Sequence, residues 1–184
     1  MCGIIGYLGE REAAPVILDG LKRLEYRGYD SAGIAVLEEL SRATRVTKSD
    51  AKVDHLAEKL RSDMPSGRLG IGHTRWATHG RPTIVNAHPH ADCKNRIAVV
   101  HNGIIENFAE LKSELEASGH EFLSDTDTEV VPHLIEHYYR GDFVSAVRQA
   151  LRRMRGAYAM AMFSLDDPEL LVGARLNAPL VVGI

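Results

Sequence analysis

The 184-residue chain is 45% hydrophobic and 26% charged, which is the composition of an ordinary globular protein and, at this length, predicts one domain. Its net charge of −3 disfavours a general nucleic-acid surface, and its longest apolar runs are too short to cross a membrane. Two cysteines without an export signal favour a reducing cytoplasm over a disulfide-rich secreted protein.

The first half of the chain is predicted to contain short strands and two helices. Apolar residues at helical spacing predict the helices, and short apolar or alternating runs predict the strands. In chain order we expect a strand over residues 2–8, a helix over 14–24, a loop over 25–33, strands over 34–37 and 42–48, a helix over 53–60 and a strand over 69–71. Residues 70–89 are rich in glycine, proline and histidine, and we expect a long functional loop there.

The second half is predicted to be helical in its middle and to return to strands at its end. A strand over 97–100 precedes a helix that Asn107 and Glu110 could cap and that Gly119 would stop. Another capping spacing opens a helix at 126–129, and a further helix is expected over 143–154. The apolar runs 157–165, 170–174 and 180–184 are expected to be strands, which makes the fold α+β. Because the last run stays apolar to Ile184, we expect a domain cut from a longer protein.

Cys2 is the first candidate for a reactive residue. If Met1 is removed, this residue carries both a thiol and a free α-amine, whose ordinary pKa values of about 8.5 and about 7.7–8.0 lie near neutral pH. An N-terminal nucleophile uses its own amine as the general base. The alternative is a small buried cysteine that only begins a strand.

A short metal-binding pattern gives an alternative of another class. Residues 133–137 spell H-x-x-E-H, in which His133 and His137 would bind zinc one helical turn apart. Chance matches to so short a pattern are frequent, so an ordinary helix face is the favoured interpretation and no metal is expected. A second alternative is a catalytically silent regulatory or interaction domain.

Several single polar residues near strand ends are candidates for substrate contacts. Arg75 follows the strand over 69–71, the pair Asn102 and Gly103 follows the strand over 97–100, and Asp127 lies at a helix start. Each also has a structural interpretation: a surface cation, a plain turn, and an acid that favours the helix dipole.

Five stretches taken together resemble the glutaminase domain of the glutamine–fructose-6-phosphate aminotransferases, a group of class II glutamine amidotransferases. The resemblance covers essentially the whole chain, 1–184. The stretches are CGIIG at 2–6, LEYRGYDSAGI at 24–34, HTRWATHG at 73–80, VHNGIIENF at 100–108 and TDTE at 126–129.

The resemblance implies a four-layer αββα N-terminal-nucleophile hydrolase sandwich and hydrolysis of L-glutamine. Cys2 would be the nucleophile, and Asn102 with the backbone N–H of Gly103 would form the oxyanion hole. Arg75 would pair with the α-carboxylate of the substrate and Asp127 with its α-ammonium. Residues 76–79 would line a loop that closes over glutamine, with Arg27 as support behind the site. The loop residues concerned are Trp76, Thr78 and His79.

The resemblance also implies that ammonia passes to a sugar isomerase domain, which makes glucosamine 6-phosphate from fructose 6-phosphate. The 184 residues contain no counterpart of that domain, so we expect a glutaminase only, with no cofactor and no nucleic-acid or membrane partner. A copy that retains Met1 would lack the free amine and should be inactive.

Overall fold

The computed structural model describes residues 2–76 and 83–183. The strands are β1 Gly3–Leu8, β2 Ser31–Glu38, β3 Ala43–Ser49, β4 Leu69–Arg75, β5 His90–Ala91, β6 Ile97–Ile105, β7 Gly156–Ser164 and β8 Leu171–Leu176. The helices are α1 Ala13–Leu24, α2 Val53–Arg61, α3 Phe108–Ala117, α4 Val130–Tyr138 and α5 Phe143–Arg153, with 3₁₀ turns at Glu25–Arg27 and Asp127–Glu129.

The described strands form two antiparallel sheets, ordered β1-β4-β2-β3 and β5-β6-β7-β8. Helices α1 and α2 pack on the outer face of the first sheet, and α3, α4 and α5 pack on the outer face of the second. The inner faces meet in a core that includes Leu37, Ile71, Val100 and Phe163. This arrangement confirms the predicted α+β, four-layer αββα sandwich.

Strand β2 shows how the sequence produces this layering. Successive side chains of a strand point to opposite faces of the sheet. Ile34 and Val36 therefore pack with the helices, whereas Ala35 and Leu37 pack against the other sheet. Both faces are covered, which explains why the strand is an almost continuous apolar run.

Three strands are clearly longer than the sequence predicts, and β2 is one of them, because it begins at Ser31 inside the predicted loop. β4 continues to Arg75 because it lies between β1 and β2 and is paired on both sides. Gly72 fits this central strand because a Cβ there would lie 2.3 Å from Ile17 of α1, so the glycine permits close packing of the helix. β6 continues to Ile105 because its second half pairs with β7, so the alternative interpretation of Asn102 and Gly103 as a plain turn is wrong.

The helix ends also differ in part from the prediction. Asn107 does not cap α3, because its side-chain amide instead binds the backbone of Arg153 and Arg155. Gly119 ends the helix as predicted, with φ +90° and backbone bonds from Gly119 N to Glu116 O and from His120 N to Leu115 O.

A 3₁₀ turn at Asp127–Glu129 leads directly into α4. The side chain of Thr126 precedes this turn but makes no capping hydrogen bond to it. The third residue of the helix itself is Pro132, which the first turn tolerates because the N–H groups there have no acceptor within the helix.

The predicted strand over 180–184 is wrong for its described part. Residues 180–183 form no strand, and the side chains of Val181 and Val182 are exposed. No described strand pairs with these residues, so the apolar run forms no hydrogen-bonded ladder. Within the described ranges, no helix is long and apolar enough to cross a membrane.

Candidate active site

Cys2 lies just before β1, beside the end of the central strand β4. The pairing of β1 with β4 puts Gly3 opposite Thr74, and Gly3 N donates to Thr74 Oγ1 at 3.2 Å. The backbone N–H of Trp76 donates to Cys2 Sγ at 3.1 Å. Burial raises the pKa of the Cys2 thiol, while the Trp76 backbone and the charge of Arg75 oppose that rise. A donor aimed at sulfur stabilises a thiolate, which is the nucleophilic form.

Asn102 reaches Cys2 from the other sheet. Its Nδ2 donates to the carbonyl oxygen of Cys2 at 3.0 Å, and its Oδ1 accepts from His73 Nε2 at 2.9 Å. Burial lowers the pKa of His73 to about 3, so its ring is neutral and the Nε2–H tautomer is the donor. The amide is thereby fixed with its donor end toward the nucleophile.

Gly103 is the residue after Asn102 in β6 and sits opposite Tyr158 of β7. Its φ of +134° is a conformation that L side chains rarely adopt, and a Cβ would lie 2.0 Å from Ala157 O. Both features require glycine at this position. The backbone at Gly103 can therefore run close to β7 beside the Asn102 amide.

Arg75 and Asp127 are both buried charged residues, with 5% and 7% of their surface exposed. Burial lowers the pKa of Arg75, and the negative charges of Cys2, Asp127 and Asp30 oppose that decrease, so all four groups lie within electrostatic reach of one another. Asp127 Oδ2 accepts from Ile105 N at 2.8 Å. Arg75 is thus not a surface cation, and Asp127 is anchored to β6 rather than exposed at a helix start.

Of the remaining predicted site residues, Trp76 contacts Cys2 through its backbone, while its side chain and that of Arg27 contact neighbouring tyrosines. Trp76 has its side chain 46% exposed and edge-on to Tyr29, with ring centroids 5.7 Å apart. Arg27 Nε donates to the hydroxyl of the exposed Tyr26 at 3.0 Å, and its support role stays a prediction. Thr78 and His79 lie outside the described residues, so the closing loop also stays a prediction.

A group of buried histidines around the site was not predicted. His73, His88, His90 and His101 are all buried. Burial lowers the pKa of His101 to about 4 and the pKa values of His88 and His90 well below their ordinary value. His73 could have been found from the sequence, because it is two residues before Arg75 on one strand and therefore on the same face.

A cleft of about 510 Å³ lies elsewhere, and Cys2 is not among its lining residues. It is lined by residues that include Lys48, His90, Cys93, Glu129 and His133. The thiol, the fixed amide and the two buried charges therefore define the candidate active site, and this cleft is a separate feature.

Comparisons with known proteins identify the relatives of this chain. The family described as glutamine amidotransferase domain matches residues 74–176. Curated glutamine–fructose-6-phosphate aminotransferases (isomerizing) from Symbiobacterium thermophilum and Pyrococcus horikoshii are 57% and 58% identical to the whole chain. The chain spans 30% and 31% of the length of these two relatives.

The fold is also found among solved structures. Glutamine phosphoribosylpyrophosphate amidotransferase from B. subtilis, in complex with ADP and GMP, superposes with a TM-score of 0.76 at 27% identity, over 90% of this chain and 35% of that one. A two-sheet αββα sandwich with a cysteine at the start of its first strand is the fold of the N-terminal-nucleophile hydrolases. The chain belongs to the glutamine amidotransferase domain family within that class.

Proposed function

We propose that this chain hydrolyses L-glutamine to glutamate and ammonia through a thioester on Cys2. The observation that supports the proposal best is the meeting of a thiol and a fixed amide donor from opposite sheets, beside a buried cation and a buried anion. A zwitterionic amino acid needs one group of each charge for its α-carboxylate and α-ammonium. Arg75 takes the carboxylate and Asp127 the ammonium, since a guanidinium binds a carboxylate through two parallel hydrogen bonds.

The reaction begins when the α-amine of Cys2 takes the thiol proton and the sulfur attacks the side-chain carboxamide of glutamine. The carbonyl oxygen becomes an oxyanion, which the second N–H of Asn102 Nδ2 and the backbone N–H of Gly103 stabilise. The α-ammonium then protonates the leaving nitrogen, the C–N bond breaks and ammonia departs. Water attacks the thioester and gives a proton to the α-amine, the C–S bond breaks, glutamate is released and the proton returns to the sulfur to regenerate the thiol.

The fate of the ammonia is proposed from the relatives. They are named as isomerizing glutamine–fructose-6-phosphate aminotransferases, and this chain matches about 30% of their length. We propose that ammonia passes to a sugar isomerase domain that makes glucosamine 6-phosphate from fructose 6-phosphate, in the cytoplasm and without a nucleic-acid partner. The chain described here should release ammonia but form no amino sugar on its own.

The test is glutamate release from glutamine by protein whose Met1 removal has been verified by mass. Cys2→Ala should reduce turnover to the background level, and a matched protein that retains Met1 should be equally inactive because its Cys2 has no free amine. An electrophilic glutamine analogue should add one mass equivalent to the processed protein and none to Cys2→Ala. Full turnover by the Met1-retaining protein would contradict the role of the amine.

A further inference from the structure

Four potential metal ligands from three separate segments meet on the far side of the second sheet. Their ligand atoms all lie within 4.8 Å of one another. They are Cys93, His120, His133 and Glu136, named here the CHHE cluster. We propose that the CHHE cluster binds one zinc ion in tetrahedral geometry.

Four of the six separations between ligand atoms are close to those of a tetrahedral zinc site. Cys93 Sγ lies 3.7 Å from His120 Nδ1 and 3.4 Å from His133 Nδ1. Glu136 Oε2 lies 3.2 Å from His120 Nδ1 and 3.9 Å from His133 Nδ1. Zinc bonds of about 2.3 Å to sulfur and about 2.0–2.2 Å to nitrogen and oxygen give tetrahedron edges of about 3.3–3.6 Å. Small side-chain movements therefore suffice to bind the ion.

Each ligand is carried by a locally ordered segment. His120 directly follows Gly119, the glycine that ends α3, and its backbone N–H bonds back to Leu115 O at 3.0 Å. Cys93 lies in the β5–β6 turn, where Asp92 Oδ1 accepts from Arg96 N and Ile97 N at 2.7 Å each. His133 and Glu136 are three residues apart on α4 and so share one face.

The surroundings of the cluster also suit a metal ion. The Nε2 atom of His133 faces the carboxylate of Glu129 at 3.9 Å, an outer partner of the kind that orients metal-bound imidazoles. Lys94 Nζ lies 3.7 Å from Glu136 Oε1, which leaves Oε2 directed at the cluster. One thiolate and one carboxylate balance the two positive charges of zinc. Cys93 and His133 also line the 510 Å³ cleft, which gives an ion a route in.

The ligand set differs from the one that H-x-x-E-H suggests. His137 is exposed and is not part of the cluster, whereas Cys93 and His120 come from distant parts of the sequence. Four protein ligands leave no open position for water, so the site stabilises structure rather than hydrolysing a bond. Zinc would join the β5–β6 turn, the end of α3 and helix α4.

The experiment is titration of the metal-free protein with zinc alone by calorimetry, and with cobalt(II) alone by absorption spectroscopy. We expect one equivalent of each metal, cobalt(II) bands typical of tetrahedral geometry, and a thiolate-to-cobalt charge-transfer band. Cys93→Ser and His120→Gln should each weaken binding by more than the about 10–100-fold that loss of an outer partner causes. Zinc should raise the Tm of the wild type more than that of either variant.

Two matched controls identify the ligands. Cys2→Ala removes the other thiol and should retain the charge-transfer band, and His137→Gln removes the neighbouring histidine and should retain full affinity. Absence of saturable binding, octahedral cobalt without a thiolate band, or affinity unchanged in Cys93→Ser would overturn the proposal. Loss of binding in His137→Gln would do the same, because it would favour the H-x-x-E-H ligand set.

Discussion

At the scale of single residues, Asn102 is held by both ends of its side-chain amide. His73 Nε2 donates to its oxygen and its nitrogen donates to the carbonyl of Cys2. A donor that is fixed before the reaction need not reorganise when charge develops, which is the main source of oxyanion stabilisation. His73 is thus a positioning residue, because it acts through Asn102.

Asn102→Ala should reduce kcat and kcat/KM together by about 10²–10³ with KM nearly unchanged, because the lost donor acts only after attack. The matched control is Asn107→Ala. That amide binds the backbone of Arg153 and Arg155, so its loss should cost about 1–3 kcal/mol of unfolding free energy while kcat stays within a few-fold. Steady-state kinetics beside urea unfolding separates the two, and a folded Asn102→Ala with normal kcat would remove Asn102 from the oxyanion hole.

At the scale of elements, strands β4 and β6 carry most of the site, and the sequence predicts only their first halves. The apolar runs at 69–71 and 97–100 are clear, but Gly72, Asn102 and Gly103 have low strand propensity. They are strand residues because β1 and β2 pair with β4 on both sides and β7 pairs with the second half of β6, which is tertiary information. The polar ends of these strands are where the sheets bring the candidate residues together.

Gly103→Ala tests whether β6 must approach β7 this closely. The added Cβ would meet Ala157 O at 2.0 Å in addition to the strain of φ +134°, so we expect a loss of unfolding free energy larger than the about 1–3 kcal/mol that backbone strain alone costs. Gly141→Ala is the control, since it has φ +94° and no atom within 4 Å of its Cβ. Urea unfolding of both should give clearly unequal losses, and equal losses would mean that the contact with β7 relaxes without cost.

At the scale of the whole molecule, the sandwich encloses four neutral histidines near its reactive end. The sequence predicts the layering, the family and the candidate residues, because short motifs and apolar runs can be recognised from residues that are adjacent in the chain. The pairing of Asn102 with His73, the burial of the histidines and the CHHE cluster do not, because each joins segments that are distant in the chain. The strand predicted over 180–184 failed because apolar character alone does not supply a pairing partner.

The buried histidines should make stability fall with acidity. The ordinary pKa of 6.5 is lowered to about 4 for His101 and to about 3 for His73. Above pH 6.5 both folded and unfolded chains are neutral at these rings, but below it only the unfolded chain takes up protons. The contribution of these rings to the free energy of unfolding is therefore fully present above pH 6.5. Below that pH it declines by about 1.4 kcal/mol per pH unit for each ring until the pKa of the ring in the folded state is reached.

Urea unfolding between pH 7 and pH 5 measures this decline in the unfolding free energy. His101→Gln should reduce this slope by about 1.4 kcal/mol per pH unit, which corresponds to one proton, since glutamine can still bond Thr128. A free energy of unfolding that stays constant from pH 7 to pH 5 would show that these rings are protonated in the folded state.

The chain contains one tryptophan, and its backbone N–H is the group that donates to the sulfur of Cys2. Its indole ring stands 46% exposed beside Tyr29 at the same end of the molecule. With excitation selective for tryptophan over the six tyrosines, emission therefore comes from one residue, the one whose backbone contacts the nucleophile. Formation and decay of an acyl-enzyme should change its intensity, so stopped-flow fluorescence can follow single turnovers without any added label.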